Sequence, residues 1–221
     1  MQQKEMLDLL HHVPVFSVLT ARELKYILRR SQIVKYNKRD YVFTEKSSGD
    51  AVYVIVSGLV KIFKTSSTGE NKTLSILRQR DFFGEMAELD QPVRSASAQA
   101  MDEVTLLVLK QNDFVWVLQR NPAMMMNLLR MLSSRLRAAD EQIKNLTFQN
   151  VYGRLAIALL ELAYKHGFRQ QRNRLGIDIP LSQDELAQLV GSSREIVNRA
   201  IRLFIRQNII SNDRGRICIM D

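Results

Sequence analysis

Arg194-Glu195 open a segment continued by Asn198, Arg199 and Arg202, and positions 195, 198, 199 and 202 share one helical face at i, i+3 and i+4 spacing. Arginine binds guanine through two hydrogen bonds, and glutamate accepts one from cytosine N4. Arg206 lies further along, where a phosphate contact fits better. The opposite face carries Ile196, Val197, Ala200, Ile201 and Leu203, which predicts packing against the domain. An arginine in a first helical turn opposes the helix dipole, and a phosphate or base acceptor relieves that conflict. A second group suits an anion: Phe82-Phe83-Gly84-Glu85-Met86-Ala87-Glu88-Leu89, followed by Arg94-Ser95-Ala96. Glycine permits close backbone approach, a short helix after it aims amides at an anion, and Arg94 offers a phosphate a bidentate fork.

The first group needs a helix-turn-helix to hold it. Ser182 caps a helix over Gln183–Leu189 with Glu185 as capping-box partner, Val190-Gly191 turns the chain, and Ser193 caps a second helix to about Arg206. The second group needs a β scaffold. From Ile33 to about Leu109, short runs such as Tyr41–Phe43, Ala51–Val56, Val60–Lys64 and Val104–Leu109 alternate with turns at Gly49-Asp50, Ser57-Gly58 and Thr68-Gly69. That spacing predicts a sandwich or small rolled barrel. Upstream, the first 30 residues read as short helices. Thr20 and Glu23 form a capping box, and Leu24, Ile27 and Leu28 mark one face.

Pro122 opens a long helix in which Met125, Leu129, Leu132, Leu136, Ala139, Ile143 and Leu146 recur at alternating steps of 4 and 3. Such an a/d seam predicts a coiled-coil dimer. Met124-Met125-Met126 read as helix-interface packing. Beyond Val151 the chain is helical and apolar over Leu155–Leu162. Residues Gly167–Gly176 form a polar, basic connection, Ile177-Asp178-Ile179-Pro180 a short strand closed by proline, and Arg216–Met220 a terminal hairpin strand.

Composition narrows the function classes. A chain of 221 residues suits one large domain or two small ones, and a net charge of +9 points to a polyanionic partner. The stretch 151–221 carries 11 Lys+Arg against 7 Asp+Glu. A single cysteine, Cys218, rules out an intrachain disulfide and a multi-cysteine cluster, and fits a reducing, cytoplasmic compartment. No run of 18 apolar residues or signal segment predicts membrane association. The His11-His12 pair reads as solvated, and no nucleophile–base pair, metal-ligand spacing or Gly-Lys-Ser/Thr phosphate loop argues for an enzyme. A competing class is the anion-binding regulatory module of a channel or enzyme, with the C-terminal part serving only as an interaction domain. The Arg194-Glu195-Arg199 helix argues against it.

Taken in order, these segments resemble the CRP/FNR family of bacterial transcription regulators, on its cAMP-receptor (catabolite activator) branch. The likeness runs through Gly49-Asp50, Gly58, Gly84-Glu85-Met86-Ala87, Arg94-Ser95-Ala96, Asn145-Leu146-Thr147-Phe148, Val151-Tyr152-Gly153-Arg154 and Val190-Gly191-Ser192-Ser193-Arg194-Glu195. It implies an α+β fold: a jelly-roll-like cyclic-nucleotide-binding β-roll with N-terminal helices over 1–121, a dimerisation helix over 122–148, and a winged helix-turn-helix DNA-binding domain over 149–221. The implied nucleotide site takes in Gly84, Glu85, Met86, Arg94, Ser95 and Ala96, with Arg135 pairing with Glu85. The implied DNA site takes in Ser182, Gln183, Ser193, Asn198 and Arg202 around a base-reading trio of Arg194, Glu195 and Arg199. A TGTGA-like palindrome, a homodimer, RNA polymerase as partner and a cyclic nucleotide as effector, with no metal or haem, complete the expectation.

Two positions depart from the family pattern. Where the cAMP receptor has a threonine–serine pair against the adenine, this chain has Ala139 and Asp140. That leaves cAMP, cyclic di-GMP and ligand independence as readings of the effector. Gln183 replaces an arginine near a DNA phosphate.

Overall fold

The computed structural model describes residues 3–89, 93–169, 175–177, 181–213 and 216–220. The chain divides into two compact units, one of Met1–Lys64 and Leu74–Ala138, the other of Thr65–Thr73 and Ala139–Asp221.

The first unit is a β-roll of two antiparallel four-stranded sheets, ordered β1-β8-β3-β6 and β2-β7-β4-β5. The strands are β1 (Ser31–Tyr36), β2 (Tyr41–Phe43), β3 (Ala51–Ser57), β4 (Val60–Thr65), β5 (Asn71–Leu77), β6 (Phe82–Phe83), β7 (Ser97–Ala100) and β8 (Val104–Lys110). Strand β3 is apolar at successive positions because both of its faces are covered. Val52, Val54 and Val56 join a core with helices α1 (Gln3–His11) and α2 (Ala21–Arg30). Ala51, Tyr53 and Ile55 join the core inside the roll. The same division splits two adjacent phenylalanines, Phe82 to the helical side and Phe83 to the roll interior. Strand alternation thus decides which side chains can reach a ligand inside the roll.

Helix α2 carries the expected capping box, with Thr20 Oγ1 accepting from Glu23 N at 3.4 Å and Glu23 Oε2 from Thr20 N at 2.7 Å. Sequence reading missed α4 (Gln111–Arg120), whose Phe114, Val117 and Leu118 are buried. Helix α5 (Pro122–Phe148) starts at its proline, and Asn121 Oδ1 caps it by accepting from Met124 N at 3.0 Å. Met124 and Leu128 face the helical core, and the expected seam lies on the neighbouring face, with Leu136 64% and Ile143 63% exposed. Leu132 departs from that seam by packing partly against the core, and of the three consecutive methionines only Met124 is buried.

The second unit holds α6 (Val151–His166), β9 (Gly167–Arg169), β10 (Leu175–Ile177), α7 (Gln183–Val190), α8 (Arg194–Arg206), β11 (Ile210–Asp213) and β12 (Arg216–Ile219). Its strands form one antiparallel sheet ordered β11-β12-β10-β9, the wing of a winged helix-turn-helix. The segment read as a plain connection therefore contributes strands at both ends. Residues 170–174 and Asp178–Pro180, including the expected proline stop, lie outside the described residues.

Candidate functional site

Glu85 and Arg94 anchor the candidate nucleotide site. Glu85 is fully buried, and its Oε1 takes a hydrogen bond from Arg135 at 2.5 Å. Arg135 donates its other terminal nitrogen to the carbonyl of Phe82. Among the described residues, the second carboxylate oxygen, Glu85 Oε2, is buried without a partner. Arg94 is 3% exposed, rare for an arginine, and its Nε is likewise buried with no partner among the described residues. Its terminal nitrogens donate to Gly84 O and Ala51 O, each at 2.8 Å. The backbone at Arg94 is fixed too, since its N–H donates to Ser47 O and its carbonyl accepts from Lys46 N, each at 2.9 Å.

Two glycines make room for the guanidinium. A Cβ at Gly49 would lie 2.3 Å from Ala87 Cβ and 3.2 Å from Arg94 Cζ. Gly84 has a φ of +90°, and a Cβ there would come 2.9 Å from Tyr53 Cδ2 and 3.0 Å from an Arg94 nitrogen. Gly84→Ala is therefore both strained and crowded. Its expected result is at least a tenfold loss of cyclic-nucleotide affinity by calorimetry, with circular dichroism unchanged. Wild-type affinity in that variant would remove Gly84 from the site. Met86 is exposed at the start of α3 (Met86–Leu89), Ser95 is exposed with its hydroxyl 3.6 Å from Met86 Sδ, and Ala96 is buried. Ala139 and Asp140 lie in the second unit, both exposed on α5.

Aromatic rings, read from sequence only as strand formers, surround Arg94. Its Cζ sits 4.4 Å from the Phe43 ring centre and 5.4 Å from that of Tyr53. Tyr53 stacks on Phe83 at 5.1 Å, and Phe43 closes the triangle at 5.5 Å from Tyr53 and 5.9 Å from Phe83. Burial pushes the Tyr53 phenol up, partly offset by Arg94, so the ring beside the cation is neutral at physiological pH.

The candidate DNA interface is built as its spacing predicts. Ser182 and Glu185 form a capping box on α7, with Ser182 Oγ accepting from Glu185 N at 3.2 Å and Glu185 Oε2 from Ser182 N at 2.6 Å. Gly191 ends α7 at φ 69°, ψ 56°, and its N–H donates to Ala187 O at 2.8 Å. Ser193 caps α8 by accepting from Ile196 N at 3.4 Å. The carbonyls at the end of α7 are taken by cations. Arg154 donates to Val190 O at 3.0 Å and Gly191 O at 3.2 Å, and Lys72, from the β4–β5 hairpin, donates to Leu189 O. Burial pulls the Lys72 ammonium below its ordinary pKa, and Arg154 adds to the shift.

On α8, Arg194, Glu195, Arg199, Arg202 and Arg206 are exposed, as is Gln183 on α7. Hydrogen bonds from its own backbone N–H and from Ser193 hold the Glu195 carboxyl below its ordinary pKa, with Arg194 and Arg199 adding to the effect. It is an ionised acceptor at neutral pH. Arg194 makes a 3.5 Å ion pair with Asp184. Asn198 is half-buried with Oδ1 enclosed and without a partner among the described residues, so it turns partly inward from the exposed face. The buried face is Val197, Ala200, Ile201 and Phe204. Ile196, expected to pack inward, is instead 40% exposed because it sits beside Glu195 at the edge of the solvent face.

Comparison with known proteins places both regions. Residues 33–121 match the cyclic nucleotide-binding domain, and residues 153–221 match the Crp-like helix-turn-helix domain. The cyclic AMP receptor protein of Thermus thermophilus is 33% identical over 204 residues, covering 92% of this chain and 91% of the relative. The chain belongs to the CRP/FNR family, on its cAMP-receptor branch. A solved CRP/FNR-family transcriptional regulator, also from Thermus thermophilus, aligns at a TM-score of 0.70 with 30% identity, over 86% of this chain and 94% of that one. The c-di-GMP-responsive global regulator of Xanthomonas campestris aligns at 0.78 with 20% identity, over 91% and 100%, which speaks to fold alone. As a CRP/FNR member, the protein is a DNA-binding transcription regulator with a cyclic-nucleotide-binding domain. Among the described residues, no helix is long and apolar enough to cross a membrane, and no group of three or more His, Cys, Asp and Glu side chains is placed to hold a metal.

Proposed function

We propose that this CRP/FNR regulator is a cytoplasmic homodimer that binds cAMP through Gly84, Glu85, Met86, Arg94, Ser95, Ala96 and Arg135, and reads a TGTGA-like palindrome through Arg194, Glu195 and Arg199. In this reading residues 1–121, 122–148 and 149–221 act as sensor, dimer helix and reader, and RNA polymerase is the partner on DNA. One observation carries this reading: a buried cation donor, Arg94 Nε, and a buried carboxylate acceptor, Glu85 Oε2, both stand in one cassette without a partner among the described residues. Such groups are costly to leave unmatched. A cyclic nucleotide satisfies both, with anionic oxygens for the arginine and a ribose hydroxyl for the glutamate. Calorimetry of the full chain against cAMP, cGMP and cyclic di-GMP tests the assignment, followed by DNA binding with and without each. cAMP should bind and raise affinity for the palindrome, and absence of any nucleotide binding would overturn the reading.

Cyclic di-GMP is a second reading. It follows from the loss of the branch's adenine contacts, since Ala139 offers no side-chain hydrogen bond and Asp140 brings a carboxylate where the branch has a serine. Binding of cyclic di-GMP with none of cAMP would select it.

The homodimer rests on the α5 seam, where Leu129, Leu136, Ile143 and Leu146 are exposed along one stripe. A second copy, bound in parallel, would cover that stripe and present two α8 helices to successive major grooves roughly 34–36 Å apart. Leu136→Lys places like charges at the centre of the seam. It should sediment as a monomer at micromolar concentration and lose affinity for the palindrome. A monomeric wild type would rule the dimer out.

A further inference from the structure

Arg94 is a buried cation whose partners among the described residues are all neutral: two carbonyls and the faces of two rings. A carboxylate is the usual companion of a buried guanidinium. Here it would work against the site, because it would cancel the charge and compete with an incoming phosphate for the same N–H edge. A ring face does neither. Its quadrupole attracts the cation from above, most strongly when water is excluded, and leaves the edge donors free. Phe43 is the nearer ring, at 4.4 Å, and it is locked by contact with Tyr53 and Phe83. Phe83 immediately precedes Gly84, whose carbonyl holds one Arg94 nitrogen, so one aromatic triangle braces both the arginine and the turn it donates to.

We infer that Phe43, backed by Tyr53, is a positioning residue of the nucleotide site: its ring face holds the Arg94 guanidinium desolvated and aimed before the phosphate arrives. This inference rests on the cyclic-nucleotide reading above. It predicts that affinity follows the electrostatics of the ring and not only its bulk.

The test replaces Phe43 by phenylalanines bearing one, two and three ring fluorines, which weaken the quadrupole with little change of shape. Each protein is titrated with cAMP, cGMP and cyclic di-GMP. Affinity for the nucleotide that binds wild type should fall stepwise with fluorine number, reaching a total loss of about twofold to thirtyfold, the span of cation–π contacts from exposed to desolvated settings. Phe43→Leu should lose at least as much, and Phe43→Tyr should bind like wild type. Equal affinity across the fluorinated series would overturn the inference even with nucleotide binding intact.

A ligand-free measurement separates this result from the fate of the wider reading. The Arg94 Nε–H resonance, identified by its disappearance in Arg94→Met, should be shifted upfield by the ring in wild type and return toward the free-arginine position in Phe43→Leu. An unshifted resonance in wild type would overturn the inference by itself. A shifted resonance in a protein that takes none of the three nucleotides would overturn the cyclic-nucleotide reading, and with it the phosphate role given to Phe43, while showing that the ring does hold the arginine.

Discussion

Arg94→Ala should lose most of its cyclic-nucleotide affinity while the β-roll still folds. Two charge-assisted hydrogen bonds to a phosphate are together worth about 3–6 kcal/mol, at 1.5–3 each. At about 1.4 kcal/mol per tenfold, the variant should bind at least a hundredfold more weakly. Thermal unfolding gives a clean readout. Ligand at about a hundred times its Kd stabilises the native state by about 2.7 kcal/mol. For a chain of this size that raises Tm by roughly 5–10 °C. Wild type should show the rise with cAMP and Arg94→Ala should show none, and Arg94→Met should repeat the result without opening a cavity. Glu85→Ala should bind more weakly than wild type but better than Arg94→Ala, since it removes a hydroxyl acceptor and frees Arg135 without touching the phosphate end. A variant Arg94→Ala that gains as much Tm from cAMP as wild type would mean that the phosphate sits elsewhere.

Arg199→Ala should change which sequence is preferred, and Arg202→Ala or Arg206→Ala should change only how tightly every sequence is held. Loss of one bidentate guanine contact should cost on the order of 1–3 kcal/mol and relax preference at one base pair. Glu195→Ala should relax preference at a cytosine with little loss of affinity, because the ionised carboxylate also repels phosphate. Arg202 and Arg206 are exposed further along α8. Removing either should weaken all sequences alike and lower the salt slope by about one unit each. Measuring each variant on a TGTGA-type palindrome and on every single-base change of one half-site, at two salt concentrations, separates the groups. A uniform loss for Arg199→Ala, with no base preference altered, would show that this helix does not read bases as proposed.

The parts of this architecture that are local in sequence were legible there. Thr20 and Ser182 each have a glutamate three positions on, Gly191 follows an apolar helix, and Pro122 opens one, and all four features appear where expected. They rest on hydrogen bonds spanning three or four residues, so the residue types alone carry them. The pairing of Arg135 with Glu85 joins residues 50 positions apart and came only from family resemblance. Phe43 and Tyr53 were legible as strand residues but not as neighbours of Arg94, because which face of a strand lines the roll depends on sheet order and register. Helix α4 was missed for a different reason. Its Phe114, Val117 and Leu118 form only a short apolar face, and Lys110 at its N-cap makes no side-chain cap hydrogen bond, so no capping residue marks its start. Ile196 shows the converse limit: a helical wheel gives its direction but not how far the neighbouring elements extend to cover it.

The end of α7 also bears on the order in which the reading head assembles. Leu189's carbonyl is met by a lysine 117 positions earlier in the chain, and the neighbouring carbonyls by Arg154. A helix stop that draws on so distant a residue is a long-loop contact, whose closure entropy must be met before the turn is complete. During synthesis Lys72 is made well before α7, so the partner already exists when the helix emerges. A fragment beginning after the β-roll would have every residue of the helix-turn-helix and still lack one of the groups that finishes it. In this protein the boundary of the DNA-reading unit in space is therefore not its boundary along the chain.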